Sequence, residues 1–148
     1  MAFPGTIQVS TPDFANLARV PEELVADGGN RAPAIEVSGV PDEAVELALI
    51  CHDPDAPLPF GYTHWTVYGI APDAARIQAG DGREGVTSTG ETGYYGPQPP
   101  AGHGDHHYFF WVYALRRRVE GEPTRERFLA DYADDIIEQN RVVGVFSR

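Results

Sequence analysis

The segment His106 to Leu115, HHYFFWVYAL, leaves a folded chain few choices. Read as a strand, it puts His106, Tyr108, Phe110, Val112 and Ala114 on one face and His107, Phe109, Trp111, Tyr113 and Leu115 on the other. Both faces are largely apolar, so the pattern predicts a central strand covered on both sides. His106 and Tyr108 then share a face at the mouth of a stiff element. The preceding loop places Gly93, Gly96, Gly102 and Gly104 among Pro97, Pro99 and Pro100. Proline removes backbone freedom there, and glycine allows main-chain amides to approach a ligand closely. An ordinary turn before a core strand is the competing reading of that loop.

Two further strands follow from the same reasoning. Residues 44–52, AVELALICH, alternate Val45, Leu47, Leu49 and Cys51 against Glu46, Ala48, Ile50 and His52, which suits a strand with one fully buried side. Asp53-Pro54-Asp55-Ala56-Pro57 stops it, and the prolines hold both carboxylates in a defined turn. Residues 64–70, HWTVYGI, form the next strand, opened by His64 as His106 opens the later one. Turn signals at Pro4-Gly5, Asp27-Gly28-Gly29-Asn30 and Val40-Pro41 make residues 1–44 peripheral β structure, with short extended pieces at residues 6–9 and 34–37. Glycine-rich residues 73–93 read as a long surface excursion. Near the C-terminus, Phe128, Leu129, Tyr132, Ala133, Ile136 and Ile137 recur at helical spacing after Pro123-Thr124, predicting a helix that Asn140 ends. A short β tail, residues 142–146, completes the chain.

The 148 residues suit one domain, 1–148, large enough to bury a core without staples. Cys51 is the single cysteine, which excludes an intrachain disulfide and a multi-cysteine zinc site, and reads as a buried thiol. The opening MAFPGTIQVSTPDF has neither a basic nor an apolar leader-like region, and no apolar run reaches the length of a membrane span. The expectation is a soluble, cytoplasmic protein with no membrane insertion. A formal charge of −11 disfavours general attraction to nucleic acid or anionic membrane, so any anionic ligand must be held locally. The only basic run, Arg116-Arg117-Arg118, reads as a solvated strand end.

The chemistry-bearing residues therefore gather at strand ends: Asp53 and Asp55 after one strand, His64 opening another, His106 and Tyr108 opening a third. Each has a bland reading, turn capping for the aspartates, of which Asp55 is the better candidate, and a satisfied interior position for His64. Taken together, DPDAP, HW, GYYGPQPP and HHY resemble the phosphatidylethanolamine-binding protein family, in particular its short bacterial members described as Raf kinase inhibitor-like. Asn30, Pro33, Pro41 and the closing VGVFSR also fall in that pattern.

The resemblance implies a mainly β domain, a Greek-key β-sandwich with a peripheral C-terminal helix, and one small pocket for a phosphate or phospho-headgroup. It implies no metal and no organic cofactor. Carried over position by position, the pocket comprises Asp53, Asp55, His64, Gly96, the backbone amide of Gln98, His106 and Tyr108. The family often has tryptophan where Val37 stands and arginine where His107 stands. His107 points away from His106 in a strand and is expected outside the pocket. An aspartate accepting from an imidazole fixes its tautomer and leaves the other ring nitrogen for the anion. On ordinary titration values, near ~6.5 for histidine and ~6 for a phosphomonoester, binding is expected to peak in mildly acidic to neutral solution.

The function expected is a binding module for a small anion that modulates a partner, with kinases and serine proteases among the partner classes the resemblance implies, and a homodimer as its assembly. Two alternatives stand beside it. Two histidines and two carboxylates could perform acid/base hydrolysis of a phosphoester or acyl bond, although no activated serine or cysteine accompanies them. His64, His106, Asp53 and Asp55, with His103, could instead hold a divalent metal as a mixed nitrogen and oxygen site.

Overall fold

Every side chain from Glu46 to Asp53 is buried, on both faces of the strand β3 (Glu46–Asp53), and the rest of the fold is arranged to cover it. The computed structural model describes residues 5–148, so the Pro4 half of the Pro4-Gly5 signal lies outside the described residues. β3 pairs antiparallel with β4 (Tyr62–Ile70) on one side and β7 (His106–Leu115) on the other. The connection from β4 to β7 thus crosses the line of β3, and the two short strands of that connection add to other edges. β6 (Arg83–Glu84) extends the sheet beyond β4, and β8 (Ile136–Phe146) extends it beyond β7, giving the order β6-β4-β3-β7-β8. A smaller sheet, β1-β2-β5, is built from Gln8–Ser10, Ile35–Ser38 and Arg76–Ile77.

The main core lies between the sheets, where Leu47, Leu49, Cys51, Trp65, Val67, Tyr108, Phe110 and Val112 meet Ile7, Ile35, Val37 and Ile77. The opposite face of the large sheet carries a second core under the helix α1 (Arg125–Tyr132). Thr124 caps that helix, its side-chain oxygen accepting from the Arg127 amide at 3.2 Å. Phe128 packs at 5.5 Å from Tyr68 and 5.2 Å from Tyr113, centroid to centroid, contacts worth about 0.5–1.5 kcal/mol each beyond their buried area. The architecture is the expected one: strands in two sheets with a peripheral helix. Among the described residues no helix is long and apolar enough to cross a membrane.

Four expectations change. β3 is buried on both faces rather than one, because α1 covers the Ala48 and Ile50 side. β7 is fully covered only at its far end: Tyr113 and Leu115 lie under α1, while His107, Phe109 and Trp111 are half-buried, the rings of Phe109 and Trp111 stacking in a row with Tyr113. The 73–93 segment is no bare excursion, since it contains β5, β6 and an isolated pairing of Val86 with Thr92. Two-residue strands carry no readable alternation, and open edges on β2 and β4 create them.

The fourth change is the largest. The helix stops at Tyr132, passes through one 3-10 turn at Ala133–Asp135, and residues 136–140 belong to an 11-residue strand. β8 runs opposite the whole of β7, from His106 facing Phe146 to Leu115 facing Ile136. Phe128, Tyr132 and Ile136 do share one core, as helical spacing requires, but Ile136 enters it from the strand. Residues Ile136, Val142 and Val143 are β-branched, and the vacant edge of β7 gave them ladder partners that a longer helix could not, with Ile137 at the one irregularity in the ladder. The buried Glu138 then ties β8 to the first segment, accepting from the amides of Thr6 and Ile7 at 2.6 and 2.9 Å. Arg116, Arg117 and Arg118 are exposed just past β7, with Arg117 stacked over Tyr132 and bonded to Asp135 at 2.8 Å.

Candidate functional site

Antiparallel pairing brings the last residue of β3 beside the first residues of β7. Asp53 ends β3, His106 begins β7, and His64 enters from β4, whose Tyr62 lies directly opposite Asp53. These residues line one cavity of about 310 Å³ at the end of the large sheet, with Tyr62, Tyr95, Gln98 and Tyr108 among its walls. Ala56, Pro57 and Leu58 from the turn after β3, and Pro99 and Pro100 from the loop before β7, complete it. Asp53, His64, His106 and Tyr108 are all at least 96% buried, so the polar groups stand at the base of an otherwise apolar and aromatic recess.

Asp53 does two jobs. Its Oδ1 accepts from the Asp55 amide at 2.8 Å, closing the turn, and its Oδ2 accepts from the His106 Nδ1–H at 2.6 Å. His106 Nε2 lies 2.8 Å from His103 Nδ1, so the two facing nitrogens share a single proton. His64 is held differently: its Nδ1–H donates to the Tyr95 carbonyl at 2.5 Å, while the Tyr95 amide donates back to the His64 carbonyl at 2.9 Å. Burial, opposed by the Tyr95 carbonyl and by Asp53, brings the His64 pKa down to about 4. His64 is therefore neutral near neutral pH, and the charged histidine of the sequence argument cannot be this one. Burial first, with Asp53, Cys51 and Asp55 adding, pushes the Tyr108 phenol above its ordinary value, so it remains a neutral hydroxyl donor. Cys51 is a buried thiol whose pKa is raised by burial, as its position in the core dictates.

Of the residues singled out from the sequence, Asp53, His64, Gln98, His106 and Tyr108 line the cavity, and two do not. Asp55, expected in the pocket and as the turn cap, has neither place. The capping falls to Asp53, and Asp55 Oδ2 turns outward to accept from both the amide and the Nδ1–H of His107 at 2.8 Å. Burial alone would raise the Asp55 pKa, but the bonds and charge of His107 outweigh it and hold the carboxyl below its usual value. His107 itself lies outside the cavity, as the strand alternation requires.

Gly96 is the second correction. Its amide is spent on Asn30 Oδ1 at 2.7 Å, and a Cβ at this position would stand 2.1 Å from the Leu24 carbonyl oxygen. Its smallness thus serves the docking of the loop onto residues 24–30, not the approach of a ligand. The same seam includes Tyr94 hydroxyl to Leu24 carbonyl at 2.8 Å and Ala26 amide to Pro97 carbonyl at 3.0 Å. Asn30, at φ 49°, anchors it. Gln98 reaches the cavity wall, with its side-chain oxygen accepting from the Tyr95 hydroxyl.

Sequence reasoning missed Tyr62 and Tyr95. Tyr62 stands two residues before His64, so period-two alternation along β4 could have placed both rings on one face; their centroids are 4.9 Å apart. Tyr95 gave no such signal, because its place depends on the loop folding back on β4. Among the described residues, no three His, Cys, Asp or Glu side chains are arranged to hold a metal ion. No serine, threonine or cysteine is among the residues lining the cavity.

Comparison with known proteins agrees with this fold. The family model described as phosphatidylethanolamine-binding protein matches residues 10–147. The UPF0098 protein of Methanothermobacter thermautotrophicus is 36% identical over 96% of this chain and 99% of its own. That of Aquifex aeolicus is 33% identical, covering 96% of this chain and 89% of its own. Among solved structures, a phosphatidylethanolamine-binding protein homologue from Chlamydia trachomatis superposes with a TM-score of 0.88 at 28% identity, covering 97% of this chain and 99% of that one. YbcL of Escherichia coli superposes with a TM-score of 0.89 at 24% identity, over the same shares of each chain, a likeness that speaks to the fold alone. With a family model spanning nearly the whole chain and relatives matched end to end, the chain belongs to the phosphatidylethanolamine-binding protein family.

Proposed function

We propose that this chain is a binding module that holds a small oxyanion, a phosphate or phosphorylated headgroup or side chain, in the cavity at the end of the large sheet. The observation that carries the reading is the buried Asp53–His106 pair at 2.6 Å beneath a cavity whose other polar side chains are His64, Gln98 and the tyrosines Tyr62, Tyr95 and Tyr108. Asp53 orients the imidazole, and an oxyanion that takes the place of the exposed His103 at Nε2 meets that nitrogen as a donor. Tyr108 supplies a neutral hydroxyl donor beside it. No lysine or arginine lines the cavity, so the ligand is recognised by oriented hydrogen bonds rather than by bulk charge, in keeping with a chain of formal charge −11. Binding without turnover is favoured because the lining includes no serine, threonine or cysteine to act as a nucleophile beside the histidines.

Modulation of a protein partner, a kinase or a protease, is the role this reading adds to ligand binding. Its support is the apolar turn after β3, where Leu58, a residue of the cavity wall, is 52% exposed and Phe60, two residues on, is 72% exposed.

Calorimetric titration of inorganic phosphate and phosphoethanolamine into the wild type, His106→Ala and His107→Ala tests the site. Loss of one hydrogen bond to a charged ligand should weaken binding to His106→Ala by about 1.5–3 kcal/mol, roughly ten- to a hundredfold, and leave His107→Ala unchanged. Equal affinity for all three proteins would overturn the assignment.

A further inference from the structure

His64 has one ring nitrogen engaged and one to account for. Nδ1–H is spent on the Tyr95 carbonyl, itself locked by the reciprocal amide bond, so the ring cannot turn over without breaking a two-bond clasp. Nε2 makes no hydrogen bond to the protein, yet it is not among the fully enclosed polar atoms without a partner, which among the described residues are represented by Thr66 Oγ1 alone. It therefore opens onto the cavity that His64 lines. In the neutral tautomer this fixes, Nε2 is a lone pair: an acceptor, not a donor.

Enclosure keeps the ring neutral against several contacts that favour its charged form. Tyr95 and the main chain of Gly96 face it from the loop, His52 and Asp53 from β3, Tyr62 from its own strand and Tyr108 from β7, with ring centroids of Tyr62, Tyr108 and Tyr95 at 4.9, 5.2 and 6.3 Å. Asp53 is the one carboxylate in this shell, and its Oδ2 is already committed to His106. Enclosure outweighs the charge-favouring contacts, as the depressed titration of His64 to about 4 reflects.

We infer that His64 is a specificity-determining acceptor, and that the cavity selects oxyanions that still carry a proton, the monoanion of a phosphomonoester or dihydrogen phosphate, over isosteric oxyanions that carry none. The inference rests on the oxyanion reading above and sharpens it. A fully deprotonated oxygen set meets the Tyr108 hydroxyl and, where it displaces His103, the Nε2 of His106 as donors, but places an acceptor against the His64 lone pair, leaving both desolvated and unpaired. A P–OH group completes the set, donating to Nε2 while the remaining oxygens accept. The same logic disfavours phosphodiesters, which have no such hydrogen on phosphorus oxygens, unless another group of the ligand supplies the donor.

The test uses the whole chain at about pH 5, above the His64 titration, where a phosphomonoester, with its second ionisation near ~6, is largely monoanionic. Inorganic phosphate, methyl phosphate, sulfate and dimethyl phosphate are titrated by calorimetry into the wild type and into His64→Asn. Asparagine can keep an N–H for the Tyr95 carbonyl but ends short of the Nε2 lone pair. Phosphate and methyl phosphate should bind about ten- to a hundredfold more tightly than sulfate and dimethyl phosphate, and His64→Asn should erase most of that ratio. Dimethyl phosphate has the charge of the methyl phosphate monoanion, and sulfate has the shape of phosphate, so neither size nor charge alone reproduces the pattern. Equal binding of phosphate and sulfate by the wild type would overturn the acceptor role while leaving the oxyanion site standing. Failure of all four to bind would overturn the site and the inference together.

Discussion

Two aspartate–histidine pairs bridge the turn after β3 to the start of β7, built from residues two apart on one side and adjacent on the other, and they do opposite things. Asp53 and His106 meet at 2.6 Å with side chains 3% and 4% exposed, and Asp55 and His107 meet at 2.8 Å with side chains 40% and 43% exposed. Contact chemistry is nearly the same in both; solvent is what separates them. Water screens the outer pair, so its worth is at most about a kilocalorie per mole. The inner pair has lost its hydration, so each partner depends on the other, and the oriented imidazole faces a cavity rather than bulk solvent. The strand's period of two assigns each histidine its side, and the sheet, not the motif, makes one pair a site and the other a surface tie.

Burial without a carboxylate partner gives the largest expected effect and sharpens the comparison. His52 and His64 are both brought down to about 4, each chiefly by burial, with Arg125 also lowering His52. Their folded values lie below the unfolded value near 6.5, so between those limits the unfolded chain binds more protons. Stability is accordingly complete above about pH 6.5, falls as pH drops toward 4, and loses nothing further from these groups below that. Each histidine contributes on the order of 3 kcal/mol to the loss. Urea unfolding at pH 7 and pH 4 should show it, with His64→Asn and His52→Gln each flattening the slope; a stability unchanged over this range would refute burial as the controlling factor.

Removing one partner of each pair is the direct way to break the comparison. Asp53→Ala leaves His106 enclosed without its carboxylate and opens the turn at the Asp55 amide, for an expected loss of about 3–5 kcal/mol. Asp55→Ala, which frees only exposed groups of His107, should lose about 0–1 kcal/mol and leave anion binding intact. Denaturant midpoints for the two variants measured side by side decide the matter, and equal losses would show that exposure does not distinguish the pairs.

The long, strongly patterned pieces were legible in the sequence because they carry their period in their own residues. HHYFFWVYAL, AVELALICH and HWTVYGI alternate over enough positions to identify three paired strands and to put His106 and Tyr108 on one face with His107 on the other. The motif resemblance added the family, and added Gln98 to the cavity residues Asp53, His64, His106 and Tyr108 that the strand ends had already singled out.

Tertiary structure decided what depended on a partner distant in the chain. Residues 136–140 satisfy helical and strand spacing alike, and only the free edge of β7 chose the strand. Asp53 and Asp55 are chemically identical at the sequence level, and the ladder between β3 and β7 turned one inward and the other outward. Gly96 reads as a ligand-approach glycine until the Leu24 carbonyl is seen where its Cβ would be. The protonation of His64 likewise belongs to no motif: it follows from enclosure and from a main-chain carbonyl 31 residues away in the chain, and desolvation is a property of the folded surroundings rather than of the residue.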